Sequence, residues 1–354
     1  MLQNNETYNS ENNDNNGGTV SNSVPPVNET FNYGGNNFFV DIGKKDIQKF
    51  AVITGLPLII VLLISNYWSR VLFFFTGFFG VDNNNLVEIL RTPVFASVLQ
   101  IVLSMLMFLV PFYFAGRCTK TRISVLTSFE KPKSNNNFLY FVIGFSFCMF
   151  SNILVALAGE FFSRFGVDYS VNFGENDTSV YGIVLAVVST AVVPALVEEF
   201  ACRGIVLGSL LRFGEGFAIL VSAILFGLMH GNFEQMPFAF LVGLALGFVR
   251  VKTKSIWICI LIHFSNNIFS LASDYLSKIL PSQINYICYT SFVLIFLLAG
   301  IVSWLFLEKD KDIFSFDNGN YDIKSANKYK WYFSSPVIIV TLILYLSKAF
   351  KYFV

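Results

Sequence analysis

The sequence predicts an all-α fold: a polytopic transmembrane bundle of about eight or nine helices behind a disordered, Asn-rich amino-terminal tail. Three observations carry this. Hydrophobic residues make up 54% of the 354, Phe alone supplies 41, and only 13% are charged. The mean hydropathy is +0.60, which the surface of a water-soluble domain of this length would not tolerate. The apolar residues also gather into successive runs of about the length a bilayer requires, while residues 1–45 are rich in Asn, Ser and Gly and almost free of bases before Lys44, a composition that cannot bury a core.

The elements follow in order. A first span is expected from about Phe50 to Trp68, then a Phe-rich stretch, Val71 to Val81, that would lie along the interface or re-enter. A second covers Thr92 to Ala115 and a third Phe138 to Leu157. A fourth begins near Tyr181 and continues as one helical pattern to Phe213, where Gly214 and Gly216 signal a turn. A fifth covers Phe217 to Gly231, a short sixth Pro237 to Val249, a seventh Ile256 to Ala272, an eighth Ile284 to Leu307 and a last Pro336 to Leu346. The predicted organisation is therefore a tail at 1–45 and one membrane domain at 46–354. The tail lacks the layout of a secretory signal.

The bases set an orientation. Lys44, Lys45 and Lys49 precede the first span, Arg117 to Lys133 contribute five bases between the second and third, and Arg250, Lys252 and Lys254 follow the sixth. Under the positive-inside rule the amino terminus is cytoplasmic and the fourth helix runs inward to a cytoplasmic turn at Gly214. A net charge of +1 with no basic patch speaks against a nucleic-acid partner. Cys118, Cys148, Cys202, Cys259 and Cys288 are odd in number and scattered, so they read as packed thiols rather than a disulfide framework or a zinc ribbon.

Against this apolar background, Glu198-Glu199-Phe200-Ala201-Cys202-Arg203 places two acids and a base inside an expected span. Charge at that depth costs from about 3 to above 10 kcal/mol, so such a cluster reads as a functional site. Two fragments answer it downstream, Phe226-x-x-x-His230 and His263-x-x-x-Asn267, and they contain both histidines of the chain. In a hairpin turning at Gly214, Glu198 lies sixteen residues before the turn and His230 sixteen after, so the two should face each other about 24 Å along the helices. His263, nine residues past Lys254, would lie about 13 Å in from the same side.

Spacing sorts the side chains. Glu199 and Arg203 are four apart with the acid first, the favoured order for an ion pair on one helix face. Glu198 is then free to face a cavity. Its carboxylate can take a proton from water, with His230 beside it orienting that water and later protonating the leaving amine. His263 and Asn267, also four apart, can donate to the oxyanion formed at an attacked carbonyl. Phe226 reads as packing in support of them. Glu234 and Asp274 read as solvated residues at helix boundaries. Cys202 is a rival nucleophile, but its acidic surroundings would raise its pKa.

The order E-E-x-x-x-R, F-x-x-x-H, H-x-x-x-N on successive membrane helices resembles the CAAX-processing and bacteriocin-processing intramembrane proteases, also called the Abi or CPBP family. All three motifs are intact here, and the resemblance covers about residues 180–273. It implies an endopeptidase in which Glu198 and His230 activate water, His263 and Asn267 form the oxyanion hole, and the site opens to the cytoplasm. Substrates of such a family include prenylated CAAX proteins and peptide or bacteriocin precursors. Two Glu and two His could also ligate zinc. Yet there is no H-E-x-x-H signature and Asn is a poor zinc ligand, so a metal-free, glutamate-based mechanism is the favoured expectation. The rival class is a non-catalytic membrane protein, an immunity factor or a transporter with a proton relay. Neither an inverted repeat nor any other internal repeat favours a transporter.

Overall fold

In the computed structural model the described residues are 37–78, 92–166, 178–309, 313–321 and 323–351. The expected tail falls largely on residues 1–36, outside them. The described secondary structure is helical throughout: α1 (Asn37–Phe78), α2 (Pro93–Cys118), α3 (Ile123–Thr127), α4 (Asn137–Ser163), α5 (Val180–Phe213), α6 (Glu215–Met229), α7 (Gln235–Thr253), α8 (Trp257–Ile279), α9 (Ser282–Leu307), α10 (Ser325–Phe333) and α11 (Pro336–Phe350).

Six of these helices are long and apolar enough to cross a membrane, and α10 with α11, bent by 69° between them, makes a seventh if counted as one span. The two expected spans beyond those seven are α6 and α8. The first is apolar but only 15 residues long, and the second is diluted by His263, Ser265, Asn266 and Asn267. The polar side chains that make α8 interesting are thus the ones that weaken it as a membrane span. Rows of large apolar side chains on α2 and α9, among them Phe114, Leu298 and Leu305, are exposed, as a lipid-facing surface requires.

Two details differ from the sequence reading. The Phe-rich stretch after the first span does not turn back before Phe78: α1 continues unbroken to that residue, and residues 79–91 lie outside the described part. Cys148, Cys202 and Cys259 are buried free thiols, but Cys118 and Cys288 are exposed. Both stand on helix faces that the bundle does not cover.

The core has two parts. One is built by α1, α2, α5, α6, α10 and α11, around residues such as Phe50, Phe112, Ile205, Phe217 and Tyr332. The other is built by α4, α7, α8 and α9, around Phe145, Met149, Leu246 and Ile262. α7 contributes Ala239 and Val251 to the first and Val242 and Leu246 to the second, so it joins the halves.

The turn between α5 and α6 falls at Gly214, where the spacing expects it. Its φ is +117°, a region closed to most side chains. A Cβ there would also stand 2.9 Å from the Asn318 carbonyl. The segment before α10 docks on this turn. Asp317 exchanges backbone contacts with Glu215, its O accepting at 2.8 Å from Glu215 N and its N donating to Glu215 Oε2 at 3.0 Å. The buried Lys328 ammonium donates to the carbonyls of Phe213 at 2.7 Å and Asn318 at 2.8 Å.

Candidate functional site

α5 is not a uniform helix. It opens as α-helix, loosens into π-helical turns over Val187–Val192, tightens over Val193–Glu199 and loosens again over Phe200–Leu207. Such turns add a residue to a helical loop and often mark functional positions. Here they flank the acid pair on both sides.

Glu199 and Arg203 are both completely buried and bonded, Arg203 Nη1 to Glu199 Oε1 at 2.7 Å. The same oxygen accepts from His263 Nδ1 at 2.9 Å. Arg203 Nη2 reaches the Gly243 carbonyl at 3.5 Å. Gly243 also lets α7 pack closely on α6, since a Cβ at 243 would sit 2.9 Å from the Ala223 backbone. The i,i+4 pair expected from spacing is present, and it carries a third member from a helix 64 residues away.

Phe226, 2% exposed, is the floor of the cluster. The Arg203 guanidinium lies over its ring at 4.2 Å, a desolvated cation–π contact worth about 2 kcal/mol. The imidazoles of His230 and His263 stand edge-on to the ring at centroid distances of 5.1 and 5.9 Å. Both histidines of the chain therefore rest on one aromatic side chain.

The hydrogen bonds assign the histidine tautomers. His230 Nδ1 faces the Phe226 carbonyl at 2.8 Å. A carbonyl only accepts, so Nδ1 carries a proton and Nε2 is left as the basic nitrogen in the neutral ring. Glu198 is half-buried and adjoins Glu199 in the chain. The structure brings Glu199, Arg203, Phe226, His230 and His263 into contact.

Asn267 makes a bond that its spacing from His263 does not foretell. Its Nδ2 donates to the Thr190 carbonyl of α5 at 3.0 Å, which occupies one of its two amide hydrogens. Its neighbour Asn266, only 6% exposed, reaches Asn267 Oδ1 at 3.4 Å. Asn266, Thr190 and Gly243 are site-building residues that sequence reasoning missed. For Asn266 the signal was available: three residues after His263, it shares that helix face. Glu199 Oε2, Arg203 Nε and Asn266 Oδ1 are buried without a protein partner, which leaves polar capacity inside the cluster.

Cys202 is buried with its sulfur 3.8 Å from Met229 Sδ, and no base faces it. Glu199 Oε1 is already bonded to Arg203 and His263, and among the described residues no three His, Cys, Asp or Glu side chains are grouped closely enough to hold one metal ion. Glu234 and Asp274 stand at the ends of helices away from the cluster, Asp274 bonded to Lys278 at 3.0 Å. Two open concavities of about 200 Å³ between α8 and α9 and 310 Å³ between α1 and α2 include none of the cluster's side chains.

Comparison with known proteins bears on this same stretch. Residues 180–269 match the family described as "Type II CAAX prenyl endopeptidase Rce1-like". The chain is also similar to the Bacillus subtilis (strain 168) protein "Putative membrane peptidase YdiL", 28% identical over 133 residues. That match covers 33% of this chain and 54% of the relative, so the chain spans about half the length of the curated protein it matches. No solved structure matches.

Proposed function

We propose that this multi-pass membrane protein is a glutamate-based endopeptidase, a reading supported by the match of residues 180–269 to the type II CAAX prenyl endopeptidase Rce1-like family and by the likeness to a putative membrane peptidase. The observation that carries the reading is that both imidazoles stand edge-on to Phe226, with His263 bonded to Glu199. In this reading Glu198 and His230 Nε2 are the acceptors for a water and His263 the donor that faces it.

In this reading a water lies between two acceptors. His230 Nε2 orients the water; Glu198 takes its proton as the oxygen attacks the substrate carbonyl and passes it to His230 Nε2, which then protonates the leaving amine as the C–N bond breaks. His263 Nδ1 is committed to Glu199, so Nε2 can donate to the oxyanion only when the ring holds both protons. The Glu199 carboxylate balances that charge, which Arg203 alone would oppose. The remaining amide hydrogen of Asn267 is the second donor. No step requires a metal.

The chain is placed in the cell membrane with its amino terminus in the cytoplasm, on the strength of the basic loops. Its substrate is a membrane-associated peptide or protein, a prenylated carboxyl terminus or a bacteriocin-type precursor, and nucleic acid is not a partner. The test is cleavage of a fluorogenic peptide library with prenylated members by the detergent-purified protein and its Glu198→Gln variant, read by mass spectrometry. Cuts made by the wild type alone support the reading. Identical products from two equally folded proteins would instead favour a binding or transport role.

A further inference from the structure

Pro194 lies in the tight turn of α5 that ends at Glu199, four residues before Glu198 and on the same helix face. It also lies four residues after Thr190. Thr190 stands near the end of the π-helical run and Pro194 near the start of the α-helical one; the α-helical partner of the Thr190 carbonyl would be the N–H of residue 194, and proline has none. A carbonyl inside a bundle that loses a donor destabilises the fold unless it finds another. Asn267 Nδ2 on α8 donates to it at 3.0 Å.

The consequence falls on Asn267. A primary amide carries two donor hydrogens and one oxygen. Only its nitrogen can face a carbonyl, so Thr190 fixes which way the amide is turned, and Asn266 Nδ2 holds the oxygen end at 3.4 Å. One N–H is spent and the acceptor is engaged. A single N–H remains, pointing away from Thr190 at the trigonal angle. α8 is thereby pinned to α5 twice, by His263 on Glu199 and by Asn267 on Thr190, at sites four residues apart on α8 and nine apart on α5.

We infer that Pro194 is a positioning residue for Asn267: by withholding its backbone donor it keeps the Thr190 carbonyl available to hold one amide hydrogen, which aims the other into the pocket. This rests on the protease reading for its effect on rate, but the hydrogen-bond link does not. The relevant variant is Pro194→Ala, which restores an N–H and improves helix propensity, so the Thr190 carbonyl closes onto its own helix and Asn267 is released.

Two readouts decide it. In protein labelled with 15N-asparagine in detergent, the Asn267 side-chain signal, identified by its loss in Asn267→Ala, has two well-separated proton shifts in the wild type. In Pro194→Ala the separation collapses toward that of a free amide. In peptide cleavage, Pro194→Ala lowers kcat about ten- to a hundredfold, the scale of a displaced catalytic group, with KM within about twofold. It has no further effect in an Asn267→Ala background. An unchanged Asn267 signal in Pro194→Ala overturns the inference, and so does an equal loss of kcat with Ala at 267. Should the wild type cut no peptide, the protease reading falls, while the amide signal still decides whether Pro194 governs Asn267.

Discussion

His263 Nδ1 lies 2.9 Å from Glu199 Oε1, the oxygen that also binds Arg203 at 2.7 Å. One carboxylate oxygen thus orients an imidazole from another helix while being held by a base on its own. Glu199→Gln keeps the shape and removes the charge that favours a doubly protonated His263. Peptide cleavage by this variant is expected to fall about ten- to a hundredfold, the scale seen when an orienting carboxylate is lost, with Glu198 untouched. Full activity would show that Glu199 serves stability alone.

The Glu199–Arg203 pair has no exposure to solvent. Arg203→Ala leaves a buried carboxylate facing one imidazole, and breaking such a pair costs about 3–5 kcal/mol. Thermal unfolding in detergent should register this as a large drop in midpoint. Combining Arg203→Met with Glu199→Gln removes both charges and should recover much of it.

Phe226→Leu retains an apolar side chain but removes the face on which Arg203 lies and the surface against which both imidazoles stand. The expected signature is a kcat reduced at least tenfold with KM little changed, because the reacting groups lose alignment. A loss confined to KM would place Phe226 in substrate binding instead.

Gly214→Ala forces a side chain into a φ of +117° with the Asn318 carbonyl 2.9 Å from the new Cβ. A destabilisation of about 1–3 kcal/mol is expected, measured by unfolding. Residual activity per folded molecule should stay near that of the wild type, since the change lies at the opposite end of α6 from His230.

Treatment with a zinc chelator, followed by dialysis, should leave cleavage unchanged. Activity lost to the chelator and restored by zinc would replace the glutamate-based mechanism with a metal-dependent one.

Local relationships were legible in the sequence. The turn at Gly214 follows from glycine between two apolar runs, and the Glu199–Arg203 bond follows from a spacing of four. Counting residues on either side of the turn sets Glu198 and His230 at matching distances along the two arms of the hairpin. What spacing could not supply is which partner a side chain chooses from another helix. His263 and Asn267 share a face, which suggested one shared task, yet one bonds Glu199 and the other the Thr190 backbone. The π-helical turns either side of the acid pair rotate those groups relative to a regular helix, so a 3.6-residue wheel misplaces them. The role of Phe226 was hidden for a different reason. In a chain with 41 phenylalanines, the one ring beneath a guanidinium and two imidazoles is indistinguishable by type from the other forty.

The clamp on the α5–α6 turn also sets an order of events during synthesis. Glu199 emerges from the ribosome 64 residues ahead of His263, and the Phe213 carbonyl emerges 115 residues ahead of the Lys328 ammonium that secures it. Until α8 is inserted the buried acid has only Arg203 to neutralise it, and until α10 arrives the hairpin's tip is untied. A nascent chain therefore carries the Glu199–Arg203 pair before its imidazole partner on α8 exists, and its α5–α6 turn stays untied until Lys328 has been made.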